Sequence, residues 1–327
     1  MRNCCAPGRG GHAHPVSPAP GAVELLPVPA IPPRTAVPRA APTFADLPGG
    51  EFLMGDPFDE GYPDDGERPV HRVVLEPFAI GATTVTNGDF AAFVAATGHR
   101  TDAERYGSSA VFHLAVRAHP RAVLGRAPRT PWWLEVSGAD WAHPCGPLSS
   151  WQELADHPVV HVSWHDALAY CRWSGTRLPT EAEWEFAARG GHQNRRYPWG
   201  DELTPDGQDL CNIWHGSFPT PSTPRDGFLT TAPVRSFPPN GFGLYETAGN
   251  VWEWCADWFS PAYYRRSPRH DPLGPRTGSA RVIRGGSYLC HHSYCNRYRL
   301  AARSANTPES SAGNCGFRVV QAASDRA

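Results

Sequence analysis

Apolar positions recur at helical spacing in three stretches and then lose that period. Thr86 and Asn87 offer an N-cap, and Phe90, Phe93 and Val94 form a stripe that ends at Gly98. A second stripe, Ala167, Leu168, Cys171 and Trp173, opens behind Ser163 or Asp166 and stops at Gly175. The third is the clearest. Thr180 and Glu183 form a capping-box pair after Pro179, Trp184, Phe186 and Ala187 follow, and Gly190 and Gly191 close the helix. Strand patterns stand ahead of these helices: Glu51–Met54 follows a turn at Leu47–Gly50, and Val70–Ile80 alternates as one further strand. From Tyr197 onward short apolar runs are cut by Gly, Pro and Asn, and Val251–Trp258 is the one window there of helical length. No internal repeat is present. The pattern predicts an α+β domain with a few early helices and a long irregular half, and long ordered loops usually need a metal ion or a function to hold them.

Composition sharpens this. Glycine (32) and proline (35) make about a fifth of the 327 residues, against a usual ~12%, which excludes a chain built mostly of long helices or long strands. Trp 12, Phe 14 and Tyr 10 supply anchors for a core. Residues 1–42 hold ten prolines and few anchors, so they are expected to be a flexible tail. One domain is expected over residues 43–322, with 323–327 as a short C-terminal tail.

All 30 positive charges are arginine, and the net charge of -2 argues against a general nucleic-acid binder. No apolar run reaches the ~18 residues of a membrane span. Met1–Cys5 leads into Pro and Gly instead of an apolar stretch, so no secretory signal is expected. The nine cysteines are then expected to be mostly reduced in a cytoplasmic monomer.

The sharpest chemistry is Cys290 and Cys295, four residues apart between them, which is not the spacing of a zinc knuckle or a thioredoxin-type pair. Two thiolates suit a soft, low-coordinate ion such as Cu(I) better than zinc. Two buried cysteines or a structural disulfide is the plain alternative, and spacing leaves both open. His291 and His292 are further candidate ligands, and Arg284, Arg297, Arg299 and Arg303 are expected to favour thiolates. A second, oxygen-rich constellation comprises Asn212, Ile213, Asp226, Phe228, Glu246, Gly249, Val251 and Glu253. Hard cations such as Ca²⁺ take mixed carboxylate, amide and carbonyl sets, although Asn, Asp and Gly are also plain turn residues. Asp64–Glu67 reads as a solvated loop, and Trp132, Trp133, Trp252 and Trp254 as core or cleft walls. No G-x-S-x-G, P-loop, G-x-G-x-x-G or H-E-x-x-H motif is present.

Five segments together resemble the formylglycine-generating enzymes, or sulfatase-modifying factors: residues 49–56 (GGEFLMGD), 157–191 (HPVVHVSWHDALAYCRWSGTRLPTEAEWEFAARGG), 240–254 (NGFGLYETAGNVWEW), 284–311 and 313–318 (GNCGFR). The resemblance runs from about residue 45 to 320. It implies a C-type-lectin-like domain of low regular secondary structure. It also implies a copper(I) enzyme that uses O₂ and an external thiol reductant to oxidise the cysteine of an unfolded sulfatase segment, Cys-x-Pro-x-Arg, to Cα-formylglycine. Carried over, Cys290 and Cys295 hold Cu(I) and the client thiolate joins them. Ser287 and Tyr294 position oxygen or the bound thiol, and Trp252 lines the cleft.

Asn212, Ile213, Asp226 and Phe228 match one calcium site of the family, and Glu246, Gly249, Val251 and Glu253 a second. Glu246 departs from the family's usual Asn. Cys171 faces Ala188, Leu300 and Val319 at the positions where secretory relatives keep partner cysteines, which implies a free buried thiol. The alternative on the same fold is a non-catalytic binding module. An iron-dependent sulfur-transfer enzyme would need a helical domain ahead of this one, for which residues 1–42 are too short. The tail itself reads Cys5-Ala6-Pro7-Gly8-Arg9, the client motif, which could serve as a self-substrate or a tethered competitor; a plain disordered tail is the default reading.

Overall fold

The computed structural model describes residues 7–8, 43–220 and 224–321. The other positions, including Cys5 and Arg9 and the terminal 323–327, lie outside the described residues. The first half of the chain carries β1 (Phe44–Leu47), β2 (Gly50–Met54), β3 (His71–Leu75), β4 (Phe78–Gly81), α1 (Asn87–Thr97), α2 (Asp102–Tyr106), β5 (Ser108–Phe112), β6 (Val123–Ala127) and β7 (Thr130–Ser137). It is followed by α3 (Trp164–Ser174), β8 (Thr176–Arg177), α4 (Glu181–Ala188), β9 (Trp252–Trp258), β10 (Arg281–Arg284), β11 (Arg303–Asn306), β12 (Cys315–Gly316) and β13 (Val320–Gln321).

Each of the described α-helices begins in the same way. Thr86, Thr101, Ser163 and Thr180 accept a hydrogen bond from the backbone N–H three residues on, while Asp89, Glu104, Asp166 and Glu183 return the contact. These reciprocal caps satisfy two donors that a helix start otherwise leaves orphaned. The three helices expected from periodicity are present, and α2, a single turn too short to show a period, is an addition.

Among the described residues four sheets hold the loops. One, in the order β1-β4-β13-β8, joins both ends of the domain. A second, β11-β10-β9-β12, is built from the C-terminal third, and β5-β7-β6 and β2-β3 complete the set. Val251–Trp258, expected as a helix, is instead β9, antiparallel to β10 and parallel to β12. Its residues Trp252, Glu253, Trp254 and Cys255 are all at 0% exposure. A strand covered on both faces has no alternation to read, and that is why its period misled. The stretch Val70–Ile80 is likewise two strands, parted at Glu76 and Pro77, since Pro77 cannot donate to a ladder. The chain forms the α+β architecture expected, with short helices and loops dominating.

Candidate functional site

Strand β10 delivers the chain to the cysteines through two glycines. Gly285 has φ +91° and Gly286 φ +75°; a Cβ on Gly286 would stand 2.8 Å from the Arg297 carbonyl oxygen. Only glycine allows both the left-handed backbone and that approach. Ser287 then caps the turn: its carbonyl accepts from the Cys290 N–H (2.8 Å) and its Oγ from Asn314 Nδ2 (3.0 Å). Beyond Cys290 the carbonyl of His291 receives the N–H groups of Tyr294 (3.0 Å), Cys295 (2.9 Å) and Asn296 (3.1 Å). One carbonyl thus folds the hexapeptide back, with Cys290 and Cys295 buried (1% and 0% exposed) and His292 and Ser293 turned outward.

The two cysteines belong to one apolar cluster with Trp252, Trp254, Tyr298, Ile213 and Phe317. Tyr294 lies half-buried at its edge, stacked on Phe218 at 4.4 Å and meeting Trp132 edge-on at 5.0 Å. Trp252 is fully buried at the start of β9, its N–H donating to the Asn314 carbonyl. The structure therefore brings Ser287, Cys290, Tyr294, Cys295 and Trp252 into one neighbourhood. Burial raises the Tyr298 hydroxyl well above the usual tyrosine range, keeping it neutral next to the thiols.

The arginines do other work than expected. Arg284 is gripped by Glu185 and Glu181, Arg303 by Glu181, Arg297 by Asp65 (2.5 Å) and Arg299 by Glu67 (2.9 Å at both oxygens). Each cation is neutralised by a buried carboxylate, so these side chains clamp the cysteine turn to α4 and to the 63–67 turn instead of supplying an unscreened positive field to the thiols. The same pairs overturn the reading of Asp64–Glu67 as a solvated loop: Asp65 and Glu67 are 4% and 2% exposed. A pair of carboxylates enters a protein interior when paired, and the partners here lie more than 200 residues away, beyond any local sequence signal.

The first oxygen-rich set has acceptors to spare. Asn212 Nδ2 donates to the Thr230 carbonyl (2.8 Å), which turns Oδ1 away, and Oδ1 is buried with no hydrogen-bond partner. Asp226 Oδ1 accepts from the Phe228 N–H (3.0 Å), while its Oδ2 is likewise buried and unpartnered. Burial pushes the Asp226 carboxyl above the usual carboxylate range. Two orphaned acceptors, one of them a carboxylate that costs energy to bury alone, are what a hard cation would satisfy.

The second set differs. Glu253 is held by Arg318 (2.6 and 2.7 Å) and Trp184 Nε1 (2.7 Å), and Glu246 accepts the N–H groups of Arg235 (3.0 Å) and Phe237 (3.3 Å). Gly249 presses on the Asn212 carbonyl oxygen, which a Cβ there would meet at 2.3 Å, and Val251 is buried in the core. Protein groups already satisfy both carboxylates, so these residues do not fit calcium as they fit at Asn212 and Asp226. Among the described residues no three or more His, Cys, Asp or Glu side chains converge as metal ligands. Cys171 is a buried thiol, as expected, with burial pushing it up to about 11. Two contributors carried no sequence role: Asn314, which holds Ser287, and Phe218, which backs Tyr294.

Among known proteins, a formylglycine-generating enzyme of Streptomyces coelicolor is 65% identical over 89% of this chain and 93% of its own. An inactive C-alpha-formylglycine-generating enzyme 2 of Mus musculus is 43% identical, over 86% of each chain. The solved structure of PvdO from Pseudomonas aeruginosa superposes with a TM-score of 0.62 at 27% identity, covering 86% of this chain and 94% of that one. The sulfatase-modifying factor enzyme 1-like domain matches residues 31–323, and the chain belongs to that family.

Proposed function

We propose that this protein is an oxidoreductase that converts the cysteine of a client sulfatase segment, Cys-x-Pro-x-Arg, to Cα-formylglycine. The observation that carries the reading is the pair Cys290 and Cys295, both buried in one tight turn of a chain whose relatives are named formylglycine-generating enzymes. Two sulfur donors in an apolar pocket match a soft monovalent ion, and Cys290 and Cys295 would hold Cu(I). When bound, it supplies a redox centre at which the client sulfur and dioxygen meet.

The remaining chemistry falls to the chain. The client Cβ loses two electrons and its sulfur leaves as sulfide; dioxygen takes four electrons, the other two coming from two external thiol groups that join as one disulfide, and of the two oxygen atoms' worth one is accounted for in the aldehyde and one in water. Ser287, fixed by Asn314, and Tyr294, fixed between Phe218 and Trp132, orient the client thiol and the oxygen. Trp252 and Tyr298 keep bulk water away from the sulfur atoms. Asn212 and Asp226, with the backbone of Ile213 and Phe228, would hold Ca²⁺ and brace the loop that leads to Trp214, whose N–H donates to the Cys290 carbonyl (3.1 Å).

The test incubates the chain with copper, a thiol reductant, air and a Cys-x-Pro-x-Arg peptide, and traps aldehydes with a hydrazide. Conversion that disappears in Cys290→Ala and Cys295→Ala supports the reading. Function unaffected by both substitutions favours a binding module.

A further inference from the structure

His161 is fully buried in the loop ahead of α3, with a left-handed backbone φ of 58°. Histidine enters that region more readily than most residues, but the conformation persists only where the surroundings hold it. Both ring nitrogens are held. The Pro144 carbonyl can only accept, so Nε2 carries a proton and donates to it at 2.8 Å. In the neutral ring Nδ1 then accepts from the Ser109 hydroxyl (2.8 Å), and Ser109 Oγ accepts in turn from Ser311 Oγ (2.8 Å). The backbone repeats the connection. The His161 N–H donates to the Ala312 carbonyl (3.0 Å), and the Gly313 N–H donates to the Ala110 carbonyl of β5 (3.0 Å). The ring also lies close against Gly313, where a Cβ would stand 3.2 Å from Nε2.

The segment held in this way, residues 311–314, makes its other contacts with the residues around the thiols. The Gly313 carbonyl accepts from the Tyr288 hydroxyl (3.1 Å) and the Asn314 carbonyl from the Trp252 N–H (2.8 Å). Asn314 Nδ2 donates to Ser287 Oγ (3.0 Å). Ser287, Tyr288 and Trp252 are thereby tied to one short segment that the imidazole anchors. We infer that His161 is a positioning residue for the reaction: it sets residues 311–314 and, through Asn314, fixes the Ser287 hydroxyl. The inference rests on the proposed function, which gives Ser287 its part in orienting the client thiol and the oxygen. A misplacement of about 1 Å at such a group costs up to about a hundredfold in rate.

The experiment measures Cys-x-Pro-x-Arg peptide conversion by the copper-loaded parent, His161→Ala, His161→Asn, Ser287→Ala and the double variant of His161→Ala with Ser287→Ala. His161→Asn keeps an amide oxygen in place of the accepting Nδ1, and asparagine tolerates the same backbone. Expected are a kcat about ten- to a hundredfold lower in His161→Ala, unchanged Cu(I) affinity, and recovery of most of that kcat in His161→Asn. Adding His161→Ala to Ser287→Ala should lower kcat no further, because the first acts through the second. Losses that multiply in the double variant, or a parent-like kcat in His161→Ala, overturn the inference. Should His161→Ala fail to fold, Ser109→Ala cuts the link between the ring and Ser311 and takes its place in the same cycle. Should the parent form no aldehyde, the proposed function falls, and amide hydrogen exchange decides the positioning. Faster exchange at the Cys290 N–H in Ser109→Ala, with β2 and β3 unchanged, supports it; unchanged exchange at Cys290, or an equal rise in β2 and β3, refutes it.

Discussion

Replacing Arg299 by Met removes a guanidinium that donates to both oxygens of Glu67 at 2.9 Å, four residues beyond Cys295. Both side chains are almost wholly buried, at 2% and 1% exposure, and Asp56 stands 3.7 Å away. Burial already pushes the Glu67 carboxyl up to about 6, against the pull of Arg299. Without that pull the carboxyl rises further, since burial is then opposed by no cation. Breaking a buried pair from one side costs about 3–5 kcal/mol, a large part of the roughly 5–15 kcal/mol that holds a domain together. Replacing both partners by Met leaves no orphaned charge and should return most of that loss, to within about 2 kcal/mol of the parent. Urea unfolding followed by tryptophan fluorescence measures all three variants. Mass-spectrometric mapping of thiol labelling should show Cys295, at 0% exposure, becoming reactive in the single variant. A single substitution costing under about 1 kcal/mol, or a double one as costly as the two singles together, would refute the clamp.

Other outcomes follow from the same geometry. Calcium at a hundredfold excess over its Kd should stabilise the protein by about 2.7 kcal/mol, seen as a rise in Tm; Asp226→Ala should abolish the rise, and a persisting rise would place the ion elsewhere. Gly286→Ala, forced to φ +75° against the Arg297 carbonyl, should cost about 1–3 kcal/mol and weaken Cu(I) binding, whereas Gly98→Ala, with nothing within 4 Å, should leave Cu(I) binding intact. Asp257 is buried with Glu181 and Glu183 nearby and Arg303 beyond, and burial followed by Glu181 pushes its carboxyl up to about 8. A folded-state pKa raised above the unfolded one stabilises at low pH and loses that stability as pH rises through it. Stability should therefore fall between about pH 4 and 8, and Asp257→Asn should flatten the fall in thermal melts; an unchanged slope would contradict the assignment.

What the sequence disclosed followed how local its signals were. Helix starts at Thr86, Ser163 and Thr180 were legible because a capping box lies within four residues and needs no partner elsewhere. Strand β9 was not, because Trp252 to Cys255 are buried on both faces and carry no alternation. The cysteine pair stood out by residue type and closeness in sequence, which left its role open, and the partners of the neighbouring arginines could not be read. Arg297 and Arg299 meet Asp65 and Glu67 only through tertiary packing, and a sequence cannot distinguish a cation facing a thiol from one already matched by a distant carboxylate. The oxygen-rich stretch divided for the same reason: Asn212 and Asp226 keep spare acceptors, whereas Arg318 claims Glu253.

The central claim is that Cys290 and Cys295 form a soft-metal site that oxidises a client cysteine. Anaerobic titration with Cu(I) against a chromophoric chelator, followed by admission of oxygen to the loaded protein and a Cys-x-Pro-x-Arg peptide, tests it most directly. One tightly held Cu(I) per chain, lost in Cys290→Ala and in Cys295→Ala, with aldehyde formed only by the loaded parent, is the predicted result. Tight Cu(I) binding that survives loss of either cysteine, or a loaded parent that forms no aldehyde, would contradict it.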